Sequence, residues 1–559
     1  MLFACRLKNV GYIWIDSLCI KQQSADPAVD PSEPESDWLE QSRVMDNIYS
    51  SSYLNISATA AADGDQGLFF RRRPDDLWED EINLNLTGLI NPEQTEVNHE
   101  VLSGIGGVGS NGKGKGVLSG HKSSHAGNKR RIGDNYNDDS PRKLLRIGTE
   151  SIFDAPRMVE QVGHDYLKRC TIIDAAFWDN LVEQAPVNQR GWVLQERVMA
   201  PRVLHFCHNQ IAWECSEFQD AEGHPEGFPT FTIRLGNIVD EGRLKSLTRK
   251  DSLRKDGLKR DGLRLRDIRL NGFADPDKSL RDLHIYELWK RIVEIYSRTT
   301  LTISRDKLVA LSGIAKLFSG KLFSKQTKCE YVAGMWREHL ESQLLWHVKE
   351  DFKDGHFLNQ AKRDPARAPS FSWAALDTPC GIVYGEVTDY GRNPSEELLF
   401  KVQDHKLFYL DPENSFGLIE GSSGFIVVEP RFLRKIDLRK LQPPQRVPYC
   451  WRLTYDPPKE AGTDHFNLYL DAPETDVDVF QKGAELYCMP AAYGGRTVKK
   501  SSRYLICLLL LELEKEKSAQ ENTSRSFKRF GLTKLSNYAD REGQKALMEC
   551  EFDEKIYIR

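Results

Sequence analysis

Tyr12-Ile-Trp-Ile-Asp-Ser-Leu-Cys-Ile20 opens a stretch that continues through Asp37-Trp-Leu-Glu-Gln-Ser-Arg-Val-Met-Asp-Asn-Ile-Tyr49 and Tyr53-Leu-Asn-Ile-Ser-Ala-Thr59 as far as Phe70. The first segment is apolar, β-branched and aromatic, and it is too short for a typical helix. It predicts a buried strand. Asp37, followed three residues on by Glu40, fits a capping box, in which each side chain satisfies a free backbone N–H of the first helical turn. Within the helix so predicted, Trp38, Gln41, Met45, Ile48 and Tyr49 recur at three- and four-residue intervals, an apolar stripe interrupted by one glutamine. Tyr53–Thr59 then reads as a second strand. Strand, helix and strand at this spacing make a βαβ unit, which predicts an open, mainly parallel sheet covered by helices.

The totals narrow the choices. A chain of 559 residues predicts two or three domains with ample core. The formal net charge is −5 and the composition is close to the globular average, so nothing global points to nucleic acid or to a membrane surface. No secretory pattern opens the sequence, and the longest apolar run, Tyr504–Leu511, is far short of a membrane span. The 11 cysteines are an odd number without framework spacing, which suggests reduced thiols. The expectation is a soluble, cytoplasmic protein.

Outward from the opening stretch, residues 91–148 are Gly-rich at first and then carry the basic triplet Lys129-Arg-Arg131. Gly104, Gly106 and Gly109 nominally fit a dinucleotide fingerprint, but the strand before and the helix after are missing, so a disordered insertion is the reading. Order returns at Gln189. Arg190–Arg197 predicts entry into a short helix, and Val203–Cys207 with Gln210–Cys215 predicts a hairpin around His208-Asn209. Residues 217–284 read as a charged low-complexity insertion. Residues 285–377 form a helical region, with Trp289, Ile292, Val293 and Tyr296 on one stripe and Leu308, Leu311, Ile314 and Ala315 on another. Residues 378–559 alternate short apolar runs with turn residues and predict a β-rich domain.

Trp14-Ile-Asp-Ser-Leu-Cys-Ile20, the Asp37-Trp…Ser42…Met45…Ile48-Tyr49 spacing and Ser57-Ala-Thr-Ala-Ala61…Gly67-Leu-Phe69 resemble the first half of the fungal heterokaryon-incompatibility (HET) domain. Arg190-Gly-Trp-Val-Leu-Gln-Glu-Arg197, Pro201-Arg-Val-Leu-His-Phe206 and Trp213-Glu-Cys215 resemble its second half. The resemblance implies a HET domain over residues 1–216 with an α/β, HET/TIR-like sheet. It implies a role in fungal non-self recognition, as a signalling or effector module that triggers programmed cell death. Relatives carry an earlier Leu-Ser-Tyr-x-Trp-Gly-like strand, and nothing before Tyr12 matches it, so an N-terminally incomplete domain is expected. An unidentified protein partner in incompatibility signalling and self-association are further expectations, with no cofactor. The alternatives are a truncated, inactive homologue or a TIR-like hydrolase that cleaves NAD as substrate with a helix glutamate.

Several side chains are candidates for chemistry. Asp16 lies in an otherwise apolar run, where an unpaired carboxylate is costly, so it needs the loop backbone of Ile20–Gln23, Gln41 or solvent as partner. Cys19 reads as a small core thiol rather than a nucleophile. Glu40, beside Trp38, has the residue type that NAD cleavage needs, since a carboxylate stabilises an oxocarbenium-like ribosyl centre, but the capping duty competes for it. Glu196 and Glu214 are rival acids. Arg190, Gln195, Glu196 and Arg197 form a polar cluster beside Trp192. Buried, it would pin the hairpin to the sheet; exposed, its arginines would grip a phosphate or carboxylate. Trp213 completes the motif set. His205, Cys207, His208 and Cys215 lack metal-ligand spacing, so no metal is expected.

Overall fold

The computed structural model describes residues 10–22, 32–73, 77, 80–85, 160–162, 165–172, 174, 176–225, 231–234, 237–240, 244–245, 283–322, 330–385, 398–411, 414–420, 424–442, 446–454, 463–494, 503–514 and 525–559. It is a mixed α/β protein with several helices and a β-rich C-terminal region. The Gly-rich run, its nominal fingerprint and Lys129-Arg-Arg131 lie outside the described residues. Two compact units emerge, one of Met1–Leu77 with Ala175–Arg559 and one of Trp78–Asp174. In the smaller unit, Asp165–Ile172 is flanked by Asp80–Asn85 and Glu160–Val162, both antiparallel to it.

The larger unit departs from expectation at its start. Tyr12–Ile20 is not a buried strand. Backbone bonds close locally, Cys19 N–H to the Ile15 carbonyl at 2.9 Å and Ile20 N–H to that of Asp16 at 2.9 Å, and Asp16–Cys19 forms one helical turn, α1. Tyr12 is 96% exposed and Leu18 70%, so only Ile20 of the run is buried, and a strand's burial is not available to it. Cys19 is likewise exposed rather than a core thiol.

Helix α2 spans Ser32–Ser50. It starts one and a half turns earlier than the Asp37 cap predicts, with Pro34 in the first turn, where a missing N–H costs nothing. Asp37 therefore lies inside the helix. Its carboxylate accepts from the Lys21 N–H at 2.8 Å and ties down the chain after α1. Glu40 sits on the exposed side of α2, without a capping duty. Met45 and Ser42 face inward.

Strand β1, Asn55–Ser57, is the second predicted strand in shortened form. It pairs in parallel with β2, Arg202–Phe206, and the sheet continues antiparallel through β3, Ile211–Cys215, to β4, Gln219–Ala221. The predicted hairpin is thus present. Ahead of it, α3 spans Gly191–Met199, and α5, Val309–Leu322, packs against both α2 and α3.

Gly313 makes the three-helix contact close. Its N–H donates to Gln195 Oε1 at 2.7 Å, and an added β-carbon would lie 2.6 Å from the Asp46 β-carbon. Gly313→Ala is expected to destabilise the protein by about 1–2 kcal/mol through overpacking, read as a lower thermal midpoint. An unchanged midpoint would mean that the helices separate freely here.

The predicted stripe Trp289, Ile292, Val293 and Tyr296 is fully buried on α4, Leu283–Tyr296. Beyond it lies a sheet of nine strands: β5 Phe400–Lys406, β6 Phe425–Pro430, β7 Arg434–Lys440, β8 Tyr449–Leu453, β9 Leu468–Leu470, β10 Leu486–Gly494, β11 Tyr504–Glu512, β12 Arg525–Ser536 and β13 Ile556–Ile558. Central β11 shows why its sequence is a continuous apolar run. Ile506, Leu508 and Leu510 join one core, while Leu505, Cys507, Leu509 and Leu511 join another on the opposite face.

Candidate functional site

Trp38 and Tyr49 are eleven residues apart on α2, about three turns, and so share one face. Trp192 and Glu196, four apart on α3, also share a face. The two faces meet. Trp38 packs edge-on against Trp192 at 6.0 Å, and Tyr49 packs edge-on against Trp14 at 5.5 Å. The Tyr49 hydroxyl and the Glu196 carboxyl act on each other, with Asp16 and Arg190 acting on both from nearby. Arg190 is exposed at the start of α3 and Asp16 is exposed as the first residue of α1, whereas Tyr49, Trp14, Trp192 and Glu196 are half-buried. The result is a crevice with aromatic walls, one carboxyl within and a guanidinium at its mouth.

Electrostatics single out that carboxyl. Burial pushes Glu196 up to about 7, with the Asp16 charge adding to the rise and the neighbouring Tyr49 hydroxyl and Arg190 opposing it. The Tyr49 phenol is raised in turn, mainly by burial and then by Glu196. Glu196 is therefore about half ionised at neutral pH, the state in which one group can both accept and give a proton. Near Trp192, burial raises the Asp306 carboxyl to about 6, against the opposing pull of Arg305.

The remaining sequence candidates divide between support and surface. The Asp16 carboxylate accepts from the Ser17 N–H at 2.7 Å, and among the described residues no hydrogen bond joins it to Gln41. Gln195 points away from the crevice toward Gly313. Arg197 is buried and doubly bidentate. Its Nε and Nη2 donate to Glu214 at 2.7 and 3.0 Å, and its Nη1 and Nη2 donate to Glu183 at 2.9 and 2.8 Å. Opposed by burial, the guanidinium still holds the Glu214 carboxyl well below the usual range. This ion-pair network pins α3 to the hairpin. Trp213 is half-buried on the other face of β3.

Sequence reading missed Glu183, Thr59 and Lys245. Thr59 Oγ1 lies 2.9 Å from His205 Nδ1, and His205 Nε2 lies 3.4 Å from Glu214. This hydroxyl–imidazole–carboxylate chain has the order of a nucleophilic triad. All three side chains are sealed from solvent, and burial holds His205 neutral, so the chain serves structure. Lys245 donates to the Arg197 and Ala200 carbonyls and thereby caps α3. Cys207 is buried near this network, and among the described residues no group of three or more His, Cys, Asp or Glu could hold a metal. No helix among the described residues is long and apolar enough to cross a membrane.

No curated protein and no solved structure matches the chain. Residues 1–196 match the family model described as heterokaryon incompatibility protein (HET). The match takes in Trp14, Tyr49, Arg190, Trp192 and Glu196, while the Arg197–Glu214 network carries the structural unit past its end. The chain carries a heterokaryon-incompatibility domain.

Proposed function

We propose that this protein is an effector of heterokaryon incompatibility, acting in the cytoplasm to trigger programmed cell death when unlike fungal cells fuse. The family match over residues 1–196 is the observation that carries this reading. Death signalling in this reading depends on the Glu196 crevice and on assembly, through self-association or with a protein partner. Only the β1–β2 pair of this sheet is parallel, the other two pairs being antiparallel, so a TIR-like layout draws support from that pair alone.

A second reading has one specific observation in its favour. Glu196 is a helix glutamate, half ionised at neutral pH and walled by Trp14, Tyr49 and Trp192. Such a carboxylate is suited to stabilise the oxocarbenium-like ribosyl centre that forms as NAD loses nicotinamide. In this reading Glu196 takes the role that the sequence alone offered to Glu40.

Expression of the full chain in a fungal host tests both. Wild type is expected to arrest growth, and Glu196→Gln to lower the fraction of dying cells at least tenfold at equal abundance, with Glu40→Gln unchanged. Killing that survives Glu196→Gln removes the crevice from the mechanism. Killing without nicotinamide release leaves the effector reading standing and removes the hydrolase.

A further inference from the structure

The two arginines that frame the Arg190–Arg197 motif are used in opposite ways. Arg197 commits every guanidinium nitrogen to Glu183 and Glu214, whereas the Arg190 guanidinium, among the described residues, makes no hydrogen bond and no ion pair. Yet the Arg190 backbone is firmly held. Its N–H donates to the Val187 carbonyl at 3.1 Å, and its carbonyl accepts from the Val193 N–H at 3.1 Å. On either side of it, the Thr300 N–H donates to the Gln189 carbonyl and the Gly191 N–H to the Thr300 carbonyl, both at 2.8 Å. Gly191 permits that close approach, since an added β-carbon would lie 2.5 Å from Leu301 Cδ2. A fixed backbone thus carries an exposed, uncommitted guanidinium to the mouth of the crevice, within electrostatic reach of Tyr49 and Glu196. Asp16 leaves it uncommitted: no ion pair joins the two among the described residues, and the Asp16 carboxylate accepts from the Ser17 N–H.

We propose that Arg190 is a phosphate anchor, its guanidinium gripping the 5′-phosphate of a nicotinamide nucleotide whose glycosidic bond lies against Glu196. This deepens the hydrolase reading and rests on it. Arginine suits the task, because its planar fork meets two phosphate oxygens at once and stays charged at any working pH. The spacing suits it too. Arg190 precedes Glu196 by six residues, a helical rise of about 9 Å. A nucleotide carries its glycosidic carbon and its 5′-phosphate on one ribose, so a single ligand reaches both residues. Held at the phosphate, the ribosyl centre stands beside the carboxyl, with the leaving nicotinamide among Trp14, Tyr49 and Trp192. Arg190 is then a residue that selects phosphorylated ligands, while Glu196 acts on the bond that breaks.

Two probes test it by calorimetric titration of the full chain: nicotinamide mononucleotide, which carries the phosphate, and nicotinamide riboside, which lacks it. Both are titrated into Glu196→Gln, so that neither is cleaved, with and without Arg190→Leu. The second substitution is expected to weaken the mononucleotide at least about tenfold and the riboside by less than about twofold, with Arg190→Lys recovering part of the loss. An equal loss for both probes would make Arg190 a wall of the crevice and overturn the anchor. Mononucleotide binding untouched by Arg190→Leu also overturns it, and leaves the hydrolase reading standing. No binding of either probe, together with no nicotinamide release by wild type, removes the hydrolase reading and the anchor with it.

Discussion

Arg197→Met is expected to lower stability by about 3–5 kcal/mol at pH 7, because it leaves two carboxylates without their cation in a dry interior. Glu214 is fully buried and the Glu183 side chain is 20% exposed, and the guanidinium is the hub of four hydrogen bonds to them. Methionine fills most of the arginine's volume, so packing loss alone would cost far less. The triple variant Arg197→Met, Glu183→Gln, Glu214→Gln separates charge from volume, since removing all the charges together restores much of the loss. Urea unfolding of the full chain measures both. A triple variant as unstable as the single one would assign the loss to geometry. The sign with pH follows from the depressed carboxyls. Their contribution is complete above the unfolded value of about 4.3 and fades as pH falls through the folded values, so the gap between wild type and Arg197→Met narrows in acid.

What the sequence revealed follows a physical divide. Periodic burial was legible: the α4 stripe, the β2–β3 hairpin and the apolar β11 run all bury as their patterns demand. Local signals with two meanings were not. Asp37-x-x-Glu40 has the spacing of a helix start, yet helix-compatible residues upstream let α2 begin at Ser32, and the aspartate serves a tertiary contact instead. Tyr12–Ile20 has strand composition, but composition cannot supply a pairing partner, and its backbone closed on itself. The choice among Glu40, Glu196 and Glu214 was equally out of reach. Their environments differ only through neighbours far away in the chain: solvent for Glu40, Tyr49 and Asp16 for Glu196, Arg197 and His205 for Glu214.

That difference yields the last prediction. A carboxyl placed for structure, like Glu214, is held ionised by its partners and adds stability; Glu196 is held against ionisation and subtracts it. Its folded value of about 7 stands above the unfolded one of about 4.3, so the folded protein binds the extra proton between those limits and loses stability as pH rises through them. Glu196→Gln, neutral throughout, is therefore expected to match wild type near pH 4.5 and to exceed it by about 2–3 kcal/mol at pH 8. Paired urea titrations at the two pH values measure this. The same variant loses the killing activity if the crevice is the working site, and a residue that costs stability while serving activity is the pattern of a functional group rather than a scaffold. A pH-independent difference would mean that Glu196 is ordinary in the folded state, and the case for the crevice would then rest on its aromatic walls alone.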